Sequence, residues 1–242
     1  MGAFLASSHI PNKPEPKSAR KDAETQRIRK ENFFCAPLRL CVKVFTFSTT
    51  LLSSDYMKVK FYGTRGSIPV CDPEFQEFGG NTTCFQITFP DTGGIAIIDA
   101  GTGIRALGKA LVAAGHQQDE IFIGFTHFHW DHIQGFPFFA PAFNPEQKIN
   151  MLALGQGRKV TNLQGIFKTQ MQTEYFPVQL DNMGARFEFL QIDKSREYFE
   201  DVHGKITKVT AKRHNHPGGA YGFRLERLGK VMVICTEVEH GA

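Results

Sequence analysis

From Met57 onward the hydrophobic residues fall either at every second position or in short runs closed by turn residues. The segment Met57-Lys-Val-Lys-Phe-Tyr62 alternates apolar and basic side chains, the period of a half-buried strand. Residues 84–89, 95–99 and 121–125 read as strands, the last an apolar run expected to be buried. Between them, residues 103–114 repeat their apolar positions at helical spacing and stop at Gly115, so a helix is expected there. Further strands are expected at 148–154, 186–192, 205–212, 220–227 and 230–235, with a helix near 158–173. Early strands, interspersed helices and a strand-rich second half predict a mixed α/β layered fold. The pattern shows no internal repeat.

Upstream of Met57 the pattern changes. The first 32 residues are rich in Pro, Lys, Arg, Ser and Glu and poor in apolar side chains, a composition that cannot bury a core. Residues 33–47 are apolar but interrupted by Pro37, Arg39 and Lys43, whereas a membrane-spanning helix needs ~20 predominantly apolar residues. The long polar preface also argues against a signal peptide. Residues 1–56 are therefore expected to be a disordered or extraneous extension, with a basic targeting segment as the alternative, and the folded domain to span 57–242. The net charge of +4 resides wholly in residues 1–56, since residues 57–242 carry equal numbers of Lys/Arg and Asp/Glu. A neutral main domain gives no electrostatic footprint for nucleic acid, which leaves such a partner to local patches or the tail. The five cysteines include no C-x-x-C pair and are odd in number, which argues for a reducing, cytoplasmic setting over a disulfide framework.

The chemistry concentrates at the end of the 121–125 run. There Thr126-His-Phe-His-Trp-Asp-His132 places His127, His129, Asp131 and His132 within six residues. Imidazoles favour zinc and its neighbours, and a carboxylate admits a harder ion or a second metal. A match to this spacing arises by chance in roughly one of two thousand chains of this composition. A strand end opening into a loop also lets neighbouring side chains converge on one point.

These residues resemble the signature of the metallo-β-lactamase superfamily of metal-dependent hydrolases. Three other stretches agree with it in order. Tyr62-Gly-Thr-Arg-Gly-Ser-Ile-Pro69 and Gly79-Gly-Asn-Thr-Thr-Cys84 are similar to the opening strands of its phosphodiesterase and ribonuclease Z-like branch. Ile97-Ile-Asp-Ala-Gly-Thr-Gly103 resembles a strand-ending aspartate with its glycine turn, and His216-Pro-Gly-Gly-Ala-Tyr-Gly-Phe-Arg224 resembles a third-histidine segment. The resemblance implies a four-layer αβ/βα sandwich with two divalent metal ions, zinc first, manganese or iron next. It implies that His127, His129 and His216 hold one metal, and Asp131, His132 and a bridging acid the second. It gives Asp99 the task of orienting ligands. The bridging acid falls at Glu237, where relatives carry Asp, and its extra methylene shifts the carboxylate by about a bond length. The family's last metal-binding histidine lies beyond such a segment, so the resemblance expects this chain to be C-terminally truncated, with its second metal weakly held.

Two cations sharing a hydroxide would lower its pKa, aim it at phosphorus or a carbonyl carbon, and neutralise charge in the transition state. Asp131, as the catalytic carboxylate, would steer the water or accept its proton. Neutral histidine ligands favour an anionic substrate. A phosphodiester such as a cyclic nucleotide or an RNA 3′ end is therefore expected. Thioesters, lactones and β-lactams are the alternatives, and a truncated, non-catalytic metal-binding domain is another. No long basic, glycine-rich insertion is available to grip RNA.

Other signals are weaker. His214 is an alternative to His216, though the spacing to Gly222-Phe-Arg224 favours the latter. His240 lies near the pocket as a proton donor or else in solvent, and His9, His116 and His203 read as solvated. Gly101-Thr-Gly103-Ile-Arg-Ala106 fits a dinucleotide-binding pattern, but a strand ending in Asp99 would set an anion against a pyrophosphate. Residues 136–143 form an aromatic stretch that reads as core, or as a wall stacking a flat group.

Overall fold

The computed structural model describes residues 57–89, 91–116, 120–155, 162–201 and 204–237, together with the backbone of Lys43–Val44. The chain divides into two units, Met1–Pro37 and Leu38–Ala242, and the first lies wholly outside the described residues.

In the second unit the strands form two sheets. The six-stranded sheet has the order β2 (Lys58–Gly63), β3 (Cys84–Thr88), β4 (Ile95–Ile98), β5 (Glu120–Gly124), β6 (Lys148–Leu154) and β7 (Arg186–Ile192). It is antiparallel from β2 to β4 and parallel from β4 to β7. The five-stranded sheet has the order β1 (Lys43–Val44), β11 (Lys230–Ile234), β10 (Ala220–Arg227), β9 (Ile206–His214) and β8 (Arg196–Glu200), with every neighbour antiparallel. Thus β1, from the stretch expected as an extension, pairs with the edge of β11.

The apolar run of β4 shows why the molecule is layered. Ile95 and Ile97 point to one face and pack with the helices, while Ala96 and Ile98 point to the other and pack against the second sheet. Helix α1 (Ile104–Ala113) buries Ile104, Leu107, Gly108 and Leu111, a stripe at helical spacing. It terminates before Gly115, whose φ of +82° suits a residue without a Cβ. The short helix α2 is Trp130–Ile133, and α3 is Leu163–Gln170, capped by the Asn162 side chain accepting from Gly165 N–H. One core joins α1, α3 and the aromatic stretch to the six-stranded sheet through Leu107, Phe136, Phe139 and Phe167. A second core lies between the sheets, with Phe85, Ile98 and Leu154 facing Phe223, Leu225 and Met232.

Helices, six-stranded sheet and five-stranded sheet make three of the four expected layers. Among the described residues no helix covers the outer face of the five-stranded sheet, where Tyr198, Ile206 and Val233 are exposed. None is long and apolar enough to cross a membrane. The strands expected at 148–154, 186–192 and 220–227 have those bounds, and the later helix is shorter than its pattern suggested. Strand β8 and helix α2 carry no strong hydrophobic period and were not expected.

Because β4 and β5 are parallel neighbours, the residues that follow them emerge at one edge. The turn after β9 and the residues after β11 reach the same end, and Tyr221 N–H of β10 donates to Thr126 C=O across the sheets at 3.0 Å.

Candidate metal centre

The loop after β5 is locked to the turn after β4 by backbone contact. Ala100 N–H donates to His132 C=O at 2.7 Å, and Gly135 N–H returns a bond to Ala100 C=O at 2.9 Å. A Cβ on Gly135 would stand 2.1 Å from Gly101 O, and one on Gly101 would stand 2.4 Å from Asp131 O. Glycine is required at both positions so that the two backbones can touch. The glycine turn thus packs against the histidine loop, which accounts for it without a dinucleotide.

Two groups of side chains converge at this end. His127, His129 and His216 form one, Asp131, His132 and Glu237 the other, and the ligand-capable atoms within each group all lie within 4.8 Å of one another. His129 Nδ1 and His216 Nε2 are 3.1 Å apart. Nitrogens on one edge of a tetrahedral zinc site with Zn–N of about 2.0–2.1 Å stand about 3.3 Å apart. His132 Nε2 faces Asp131 Oδ2 at 3.4 Å and Glu237 Oε1 at 3.2 Å. The second oxygen of Glu237 turns toward His216 Nδ1 at 3.9 Å, so this carboxylate faces both groups.

Asp99 sets the protonation pattern from below. It is fully buried and has a φ of +60°, the left-handed region that few non-glycine residues adopt. That conformation aims its carboxylate at three partners. Oδ1 accepts from Thr126 N–H at 2.8 Å, while Oδ2 meets the Thr126 hydroxyl and His132 Nδ1, each at 2.8 Å. With its hydroxyl donated to Asp99, Thr126 Oγ1 is left to accept from His127 Nδ1 at 3.1 Å. Both histidines therefore carry their proton on Nδ1 and direct Nε2 into the site.

His127 Nε2 is buried and has no hydrogen-bond partner. Burial, reinforced by His132, His129 and His216, lowers the His127 pKa to about 2, so this ring is neutral. Burial also works against charge on His132, but Asp99, Asp131 and Glu237 outweigh it and raise its pKa well above the ordinary value. Burial opposes ionisation of Asp131 in turn, yet the hydrogen bond and charge of His132 and the Ser67 N–H at 2.8 Å bring its pKa down to about 2. Among the described residues no lysine or arginine pairs with Asp99, Asp131 or Glu237. An orphaned imidazole nitrogen beside three buried carboxylates whose shared partner is the single imidazole of His132 fits a divalent metal.

Of the expected site residues, the structure thus brings together His127, His129, Asp131, His132, His216 and Glu237, with Asp99 beneath them. His214 stands apart, its Nε2 at 3.2 Å from Cys235 Sγ, and His240 lies outside the described residues. His116 lines a cavity between the sheets. The aromatic stretch divides its roles, with Phe136 and Phe139 fully buried and Phe138 and Phe143 exposed. Sequence reasoning missed Thr126, whose position directly before His127 was the available signal, and the Ser67 N–H, which as a backbone donor carries none.

The Metallo-beta-lactamase superfamily model matches residues 78–226, more than half of the chain. Comparison with curated proteins finds no match. Among solved structures, the metallo-beta-lactamase fold protein YhfI from Bacillus subtilis is similar at 14% identity and a TM-score of 0.44, over 70% of this chain and 57% of that one. Unliganded yeast PDE1 is similar at 14% identity and a TM-score of 0.47, over 76% of this chain and 66% of that one. The chain therefore spans less than two thirds of the length of either. On the match to the family model, this chain belongs to the metallo-beta-lactamase superfamily.

Proposed function

We propose that the chain is a dinuclear metal-dependent hydrolase acting on a phosphodiester, a cyclic nucleotide or an RNA 3′ end. The observation that carries the two-metal reading is the Glu237 carboxylate, which faces His132 with one oxygen and His216 with the other. His127, His129 and His216 would hold one ion, and Asp131, His132 and Glu237 the other. When bound, two divalent ions, zinc before manganese or iron, would supply Lewis-acid charge and lower the pKa of a coordinated water.

The remaining work falls to the protein. Thr126 and Asp99 fix the histidine tautomers, and Ser67 N–H anchors the Asp131 carboxylate. With its pKa held at about 2, Asp131 suits steering a water better than taking its proton. His129 is exposed and His216 half-buried, so the all-imidazole group is the side open to solvent. Neutral ligands there leave an anionic ester attracted rather than repelled. Exposed Trp130 and Ile68 flank Asp131 and Ser67 in sequence, which supports a flat organic group such as a nucleobase on the rim. The cysteine pattern supports a cytoplasmic setting.

Metal analysis and turnover of bis(p-nitrophenyl) phosphate test the reading. About two metals per chain, with turnover lost in His129→Ala, supports it. One metal or none with no turnover supports a non-catalytic metal-binding role. Faster turnover of a thioester, lactone or β-lactam by the same preparation would transfer the assignment to that class.

A further inference from the structure

Protein interiors leave few voids larger than a water molecule. Between the two sheets, at the end away from the metal centre, a cavity of about 420 Å³ interrupts the packing. Its size falls within the range of small-molecule sites. The wall is apolar. Ala96, Phe122 and Leu152 come from the six-stranded sheet, and Phe199, Val209 and Phe223 from the five-stranded one. Phe122 and Phe199 meet edge-on at 6.0 Å between ring centres. Ala96, Phe122, Phe199 and Val209 all line this space, yet they are only half-buried. At the deep end Gly124 contributes no side chain, and a Cβ there would reach Ile98 at 3.4 Å and Phe223 at 3.9 Å.

The mouth is polar and carries an excess of acidic groups. Arg227 is buried, but its guanidinium is already engaged, with Asp91 Oδ2 at 2.8 Å, Asp201 Oδ2 at 2.5 Å and the Thr207 hydroxyl at 2.9 Å. Its face lies over the Phe89 ring at 4.9 Å. Glu120 pairs with Lys148 at 2.8 Å, and Glu200 is an exposed carboxylate on the rim. Asp91, Glu120, Glu200 and Asp201 thus outnumber Arg227 and Lys148, with His116 a further titratable side chain on the lining. Among the described residues, a carboxylate arriving here would find no vacant guanidinium and would meet like charge.

We propose that this cavity is a binding site, separate from the metal centre, for an elongated apolar molecule with a cationic head. The alkyl body lies between the sheets along Phe122, Phe199 and Val209, and the head sits at the mouth against Glu200. Ile98 and Gly124 at its floor directly precede Asp99 and Phe125, so the occupied site would abut the strands that carry the metal loops.

Calorimetry on the full chain tests this with decyltrimethylammonium and decanoate, both below their micelle-forming concentrations. The cation should saturate a single site per chain and bind at least about ten-fold more tightly than the carboxylate. Val209→Trp, which fills the cavity, should weaken that binding by about ten-fold or more while the protein still unfolds cooperatively. Glu200→Lys, a surface change that does not depend on repacking, should narrow the preference for the cation at least about three-fold. Failure of the cation to saturate a site would overturn the proposal. Equal affinity for the two heads, or wild-type affinity in folded Val209→Trp, would overturn it as well.

Discussion

The three-histidine group and the carboxylate group sit side by side but are held by different physics. His127, His129 and His216 are imidazoles pressed together, with His129 exposed and His127 neutral from burial. Asp131, His132 and Glu237 are all buried and mutually charged, and His132 lies at the centre of three carboxylates. The first group is organised to wait for a cation. The second already contains one, in protonated His132, and so forms part of the folded core of the metal-free protein.

The largest effect should separate these roles directly. In metal-free protein, His132→Ala strands Asp99, Asp131 and Glu237 and should cost about 3–5 kcal/mol by chemical denaturation. His129→Ala should cost less than about 1 kcal/mol there, since its ring is exposed. Equal losses would break the comparison.

Next in size is Asp99→Asn, which tolerates the left-handed backbone but removes the charge from beneath His132 and Thr126. Metal affinity should fall about 10–100-fold in competition titrations, and more at the carboxylate group than at the histidine group. Proton release should sharpen the contrast further. Binding at the carboxylate group must displace the Nε2 proton of His132, whereas His127 has none to lose. Titrations in buffers of different ionisation enthalpy should detect about one proton for one metal and near zero for the other.

The two histidines also act on the metal-free fold with opposite sign. An unfolded chain protonates His127 below about pH 6.5, while the folded chain resists until about 2. Stability should therefore fall as pH drops through that window. Asp131 adds to the loss at its acid end, since its own folded value is lowered to about 2. His132 contributes below its unfolded value, and its contribution disappears as pH rises through its raised folded value. Replacing His127 with Gln should flatten the acid limb of a urea-midpoint profile, and identical limbs would contradict the neutral assignment. The smallest expected effect is Glu120→Gln. Burial opposes charge on Glu120, but Lys148 and Asn150 hold its pKa lowered. It lies at the far end of β5, so the change should cost under about 1 kcal/mol and leave metal affinity alone.

Much of the layered fold was legible because β4, β5 and β6 carry apolar runs that need burial on both faces. Strand β8 was not, since Arg196 and Tyr198 face outward, Glu200 is exposed at the strand's end, and only Phe199 offers a strong apolar signal inward. Its identity as a strand depends on pairing with β9, which is tertiary information. At the site, the histidine loop was readable from local spacing. Placing His216 and Glu237 beside it relied on the family resemblance, because no local pattern links residues so far apart. The Ser67 N–H and the left-handed φ of Asp99 are backbone properties without a side-chain signature. The cavity is assembled from several strands of two sheets, and no linear segment announces it.

The two groups have one further property in common, which bears on how the protein is made. Each takes ligands from both sheets, with His132 and Glu237 separated by 105 residues. A ribosome adding about 5–20 residues per second needs on the order of 5–20 s to cover that interval. Until residue 216 is added, the nascent chain displays His127, His129, Asp131 and His132 with neither late partner yet made. A metal that needs the full ligand set would then be selected only once the sheets dock, by the finished architecture rather than by whichever cation first meets the emerging histidines.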